Sequence, residues 1–133
     1  MIEDGLGLAP CHCGLTHHAT KLVAITGAPG AGKSTLLRVA RQQFCRHVRV
    51  LPEIATALFA GGFPREPDDE VTRAAQRAIF AVQREAERAA AVGGRVAVAL
   101  CDRGTVDGLA YWPGPPAALF DALGTTRDAE LLR

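Results

Sequence analysis

KLVAITGAPGAGKST, residues 21 to 35, decides the fold. Leu22 to Ile25 is a short apolar run that ends at Thr26-Gly27, the profile of a buried strand. From Lys33 to about His47 the pattern becomes helical. Leu36, Leu37, Ala40 and Phe44 recur at spacings of three and four, with Arg38, Arg41 and Gln42 between them. The glycine-rich turn between strand and helix is the informative part.

Gly27 to Ser34 fits G-x-x-x-x-G-K-[ST] in full. The glycines let the backbone turn tightly and approach a phosphate without a Cβ in the way. The N–H groups of such a loop point inward, at the positive end of the helix that follows. Gly27, Ala28, Pro29, Gly30, Ala31, Gly32, Lys33, Ser34 and Thr35 are therefore candidate nucleotide-binding residues. Lys33 is placed to reach the β- and γ-phosphates, and the Ser34 hydroxyl to meet Mg²⁺. The alternative, a glycine-rich turn that merely joins strand to helix, is the weaker reading, because the motif also has an apolar strand before it and an amphipathic helix after it.

The rest of the chain extends the same alternation. Val48 to Leu51 reads as a second strand, stopped by Pro52, and Ile54 to Ala60 as a short helix ended by Gly61-Gly62. Asp68 or Asp69 can cap a long helix. Its expected apolar stripe is Val71, Ala75, Ala78, Ile79, Val82, Ala86 and Ala89, with Gly93-Gly94 as the stop. Arg95 to Cys101 is a valine-rich run, read as a buried third strand. A last helix starts near Pro116 and breaks at Gly124. Strands alternating with helices predict an α/β fold: a parallel sheet of about three strands, with right-handed crossovers and flanking helices.

With 133 residues, 48% of them hydrophobic, the chain supports one domain and one core. A net charge of +1 gives no reason to expect a nucleic-acid or membrane surface driven by bulk charge. Cys11, Cys13, Cys45 and Cys101 form no disulfide framework. No basic n-region opens the chain, and no apolar run approaches the ~20 residues of a membrane span. A cytoplasmic location follows as the expectation. Residues 1–20 lack periodicity and read as a flexible leader ahead of a domain at 21–133.

In open α/β sheets, ligands sit at the carboxyl ends of the strands. The second strand ends in Pro52-Glu53 and the third in Asp102-Arg103-Gly104. A parallel sheet would bring Glu53, Asp102 and Arg103 to the phosphate side. A carboxylate there can bind Mg²⁺ or take a proton from an attacking hydroxyl, and an arginine can clamp an acceptor. Glu53 can equally serve the dipole of the following helix. Arg103 can instead pair with Asp107 or Glu53.

The stretches ITGAPGAGKST, VLPEIATALFAGGFPR, AQRAIFAVQRE and LCDRGTVDGLAYWPG together resemble the NadR-type AAA ATPase/kinase domain, over about residues 21 to 127. More distantly the chain is similar to nucleoside and nucleotide kinases. The resemblance implies ATP and Mg²⁺ as cofactors and a nucleoside-like acceptor for the γ-phosphoryl. It implies Glu53 as catalytic base, with Asp102 and Arg103 as metal and acceptor contacts; Ser34 and Asp102 would hold the metal. Gln76 matches loosely a glutamine that reads a base, or else lies on a solvated helix face. Kinases of this kind continue with an arginine-bearing lid and two more strands, and none is visible before Arg133. The domain therefore looks incomplete relative to full kinases. Leu22 to Ile25 would then form an open apolar sheet edge and favour self-association. The alternatives are a nucleotide-hydrolysing switch and a truncated, non-catalytic nucleotide-binding module.

Two smaller groups stand apart. Cys11-His-Cys13 with His17-His18 carries soft metal ligands, but C-x-C-x₃-H-H matches no structural zinc spacing. Tyr111-Trp112 can stack on an acceptor ring or pack at the sheet edge beside a proline-rich loop.

Overall fold

The computed structural model describes residue 14, residues 17–28 and residues 30–133. Pro29 and the leader cysteines Cys11 and Cys13 lie outside the described residues. Three strands, β1 (Lys21–Ile25), β2 (Val48–Leu51) and β3 (Val98–Asp102), form one parallel sheet in the order β1-β3-β2. Helices α1 (Lys33–Gln43), α2 (Ile54–Ala60) and α3 (Asp69–Ala91) lie between them in the chain, and α4 (Pro116–Leu123) and α5 (Arg127–Leu131) follow β3. This is the parallel α/β arrangement expected from the sequence.

The register sets the site. Ile25 pairs with Asp102, and Leu51 with Cys101, so all three strands end at one level. β3 is central because its residues tolerate burial on both sides: Ala99 and Cys101 are buried, and Val98 and Leu100 half-buried. Ala99 and Cys101 join Leu51, Val96 and Ala90 in the main core cluster, with Leu22 and Ala86 against it. The alanines of α3 let that helix approach the sheet closely. Leu37 and Ala40 are the buried residues of α1.

Strand β3 starts three residues later than the sequence indicates, because Val92–Gly94 forms a 3₁₀ turn and Gly93 and Gly94 take positive φ. Helix α1 stops at Gln43, and Leu36 and Phe44 are exposed, so only Leu37 and Ala40 of its apolar set are buried. Asp68 caps α3, accepting from the amides of Glu70 and Val71. The stripe of α3 is rotated from the expected one. Val82 is 42% exposed and Ala89 exposed, whereas Gln76, Gln83 and Glu87 are buried beside Ala75 and Ala90. Trp112 packs beneath Arg73 of α3, with its ring 6.0 Å from the guanidinium carbon. Ahead of β1, the backbone N–H of His18 donates to the Gly94 carbonyl and the Thr20 hydroxyl to the Val96 carbonyl.

Among the described residues β1 pairs with β3 alone and lies at the edge of the sheet, with Lys21, Val23 and Ala24 exposed. Among the described residues no helix is long and apolar enough to cross a membrane.

Candidate functional site

Gly30 and Gly32 carry the turn after β1 at φ +81° and +88°. A side chain there would impose left-handed strain of about 1–2 kcal/mol per residue. Ala31 N–H donates to Ala28 C=O at 3.1 Å and closes the turn. Gly32 is the N-cap of α1 and no side chain caps the helix. The first-turn amides of α1 are thus left open at the loop. Ala28, Ser34 and Thr35 are exposed beside them and Gly27 half-buried. The Lys33 ammonium bends back to pair with the Asp102 carboxylate at the end of β3.

The second strand end supplies Glu53, the N-cap residue of α2. Its carboxylate caps no backbone amide. It accepts from the Thr56 hydroxyl at 2.7 Å and from Arg103 Nε at 2.6 Å. The Thr56 hydrogen bond lowers the Glu53 pKa; burial opposes, and Arg103 and Lys33 add to the lowering. Of the two partners open to Arg103 in the sequence, the structure selects Glu53. Asp107 instead accepts from the Gly104 amide at 2.6 Å, which folds residues 104–107 into a tight turn.

Lys33, Asp102, Arg103 and Glu53 thus lie together as two opposite-charge pairs across the strand ends. In the free chain the charges cancel within the site. Arg103 itself has φ +74°, the positive value that only this non-glycine residue adopts among the described ones.

Beside these pairs opens a cavity of about 640 Å³ between α2, α3 and the 102–111 segment. Glu53, Asp102 and Arg103 line it, with Phe59, Ile79 and Phe80 forming apolar wall. Gln76 is on this wall and 8% exposed, so it does not belong to a solvated helix face. Its Oε1 lies 3.0 Å from where a Cβ on Gly108 would be, so the glycine makes room for the amide. Tyr111 is exposed and also lines the cavity, while Trp112 does not. Sequence reasoning missed Thr56 and Thr105, because a lone hydroxyl on a helix or turn carries no pattern.

The donor set can be tested against the groups the fold implies. Uncapped helix amides with a lysine at their base suit an anionic phosphate chain. Among the described residues no group of three His, Cys, Asp or Glu side chains could hold a metal alone. One carboxylate and one hydroxyl suit Mg²⁺, which keeps waters and takes its remaining oxygens from phosphates.

No curated protein and no solved structure matches the chain at a significant level. A family model described as AAA domain matches residues 22–119, from β1 into α4, and the chain belongs to that family of nucleotide-binding phosphate-loop proteins.

Proposed function

We propose that the chain binds ATP with Mg²⁺ in the 27–35 loop and transfers the γ-phosphoryl to a hydroxyl of a small, nucleoside-like metabolite. The supporting observation is the cavity lined by Glu53, Asp102 and Arg103, linked to the loop through the Asp102–Lys33 pair. A water-hydrolysing switch has no use for a cavity of this size walled by Phe59, Ile79 and Phe80. The choice of ATP and of a nucleoside-like acceptor follows the NadR-type resemblance of the sequence.

Each residue has a defined part in this reading. Lys33 exchanges Asp102 for phosphate oxygens. Asp102 and Ser34 are the protein groups toward Mg²⁺, which when bound neutralises charge on the phosphates. Arg103 orients the acceptor. The acceptor oxygen forms the new P–O bond, the bond from the γ-phosphorus to the β-bridging oxygen breaks, and the hydroxyl proton passes to Glu53. With its pKa lowered, Glu53 is a weak base. A weak base suffices where the transition state is loose and catalysis is mostly positioning and charge neutralisation.

The test is ADP release from ATP·Mg²⁺ across a panel of nucleosides, with ATP affinity measured by calorimetry in parallel. The reading expects ATP binding and acceleration by at least one nucleoside. Hydrolysis indifferent to every nucleoside would replace it by the switch. Binding without turnover would replace it by the non-catalytic module.

A further inference from the structure

Glu130 belongs to α5 and lines no part of the cavity. Its side chain is nevertheless only 1% exposed. The carboxylate accepts from Arg84 of α3 at 2.8 and 3.0 Å, from Thr105 Oγ1 at 2.8 Å and from Thr125 Oγ1 at 2.9 Å. Arg133 adds a contact at 3.3 Å. Burial pushes the Glu130 pKa up, but the hydrogen bonds from Thr105, Thr125 and Arg84 outweigh it and hold the group below the usual carboxylate range. A buried ion pair is a weak source of stability, and apolar residues would anchor a five-residue helix as well. The arrangement calls for a different explanation.

Thr105 is two residues beyond Arg103, in the turn at the end of β3. A positive-φ arginine persists only where its surroundings over-determine it. Arg103 N–H is held by Ile25 C=O at 3.0 Å, and Gly104 N–H by Asp107. The Thr105–Glu130 hydrogen bond ties the same turn to α5 and, through Arg84, to α3.

We propose that Glu130 is a positioning residue: through the Thr105 hydroxyl it holds the 103–107 turn so that Arg103 faces Glu53 at the cavity wall. The proposal deepens the phosphotransferase reading and rests on it only for what Arg103 then does. The geometry concerned is that of the free chain.

The test uses the whole chain, labelled with ¹⁵N, and reads the Arg103 Nε–H signal, whose proton is bound to Glu53. Thr105→Val keeps the shape and removes the hydroxyl; Thr105→Ser restores it. Thr105→Val should speed exchange of the Arg103 Nε–H about tenfold, as for a local opening, while the Ala99 and Cys101 amides of β3 stay at their wild-type rates. Thr105→Ser should return the rate to wild type. Glu130→Gln should resemble Thr105→Val, and if it does not fold, the threonine pair decides alone. An unchanged Arg103 signal in Thr105→Val would overturn the proposal. So would an acceleration shared by the β3 amides, which marks a purely structural role. Neither result depends on whether any nucleoside is phosphorylated.

Discussion

Lys33 and Asp102 neutralise one another across the strand ends, and this pair gives the loop lysine two competing partners. A phosphate that recruits Lys33 leaves Asp102 without its cation. Metal and nucleotide are therefore expected to bind cooperatively. Asp102→Asn frees Lys33 and removes that conflict. In chelator, its ATP affinity should rise, because Lys33 no longer has to leave a carboxylate that is only 16% exposed. Added Mg²⁺ should then strengthen binding less than in wild type. Calorimetry with and without Mg²⁺ reads both quantities, and an unchanged Mg²⁺ dependence would remove Asp102 from the metal's surroundings. Lys33→Ala should weaken ATP binding about 10- to 100-fold, the worth of a charge-assisted hydrogen bond. Its melting temperature should fall by a few degrees at most, because Asp102, 16% exposed, loses its cation while the core stays intact.

At the scale of the element, α3 is the informative case. Its apolar spacing selects Val82 as core and leaves Gln83 outside. The folded helix does the reverse, burying Gln83, whose Nε2 donates to Glu87 Oε1 at 2.9 Å. Arg133 meets the other Glu87 oxygen at 2.8 Å. Burial and the nearby Glu87 charge push the Cys101 thiol up to about 11, so it stays protonated near neutral pH. Two substitutions separate the readings. Val82→Gln should change stability by less than about 0.5 kcal/mol, as at ordinary surface sites. Gln83→Ala should cost about 1–3 kcal/mol, since it leaves a buried acceptor short of its donor. Urea midpoints of the two variants provide the comparison; equal losses would contradict the rotated face.

For the whole molecule, pH and association are the measurable properties. Burial lowers the His47 pKa, with the His18 and Arg46 charges acting the same way. A base with a lowered folded pKa takes up protons more readily when unfolded, so stability starts to fall below about pH 6.5. Glu53 and Glu130 are also lowered, and as acids they contribute fully above their ordinary value near 4.5. Their contribution is lost as pH falls through the lowered values. All three act in one direction. The urea midpoint should start to fall below about pH 6.5, through His47, and fall further below about pH 4.5, where Glu53 and Glu130 begin to lose their contribution; a midpoint that rises as pH falls from about 6.5 to about 5 would contradict this. The β1 edge bears on association. Val23 is 40% exposed on the strand that ends the sheet among the described residues, and the outer backbone groups of such a strand can pair with a second copy of the chain. Sedimentation at several concentrations should show self-association that Val23→Lys reduces. A monomer at every concentration would rule out that use of the edge.

The local grammar of the chain was legible without coordinates. Strand β2, helix α2, the Asp68 cap and the Gly124 stop fall where residue type places them, because each depends on a few neighbouring dihedrals and hydrogen bonds. The loop from Gly27 to Thr35 was legible for the same reason, its residues being adjacent. That Glu53, Asp102 and Arg103 share one end of a sheet needed only the inference of parallel strands. Three things needed the tertiary structure. The pairing of Lys33 with Asp102 and of Arg103 with Glu53 is a choice among charges brought within reach by the register. The burial of Gln76, Gln83 and Glu87 reverses what hydropathy alone assigns, because polar side chains can be buried when partners arrive from distant segments. The tie from Glu130 to Thr105 spans 25 residues and leaves no periodic trace. Spacing records which face of an element is apolar, and only packing decides which polar groups find one another.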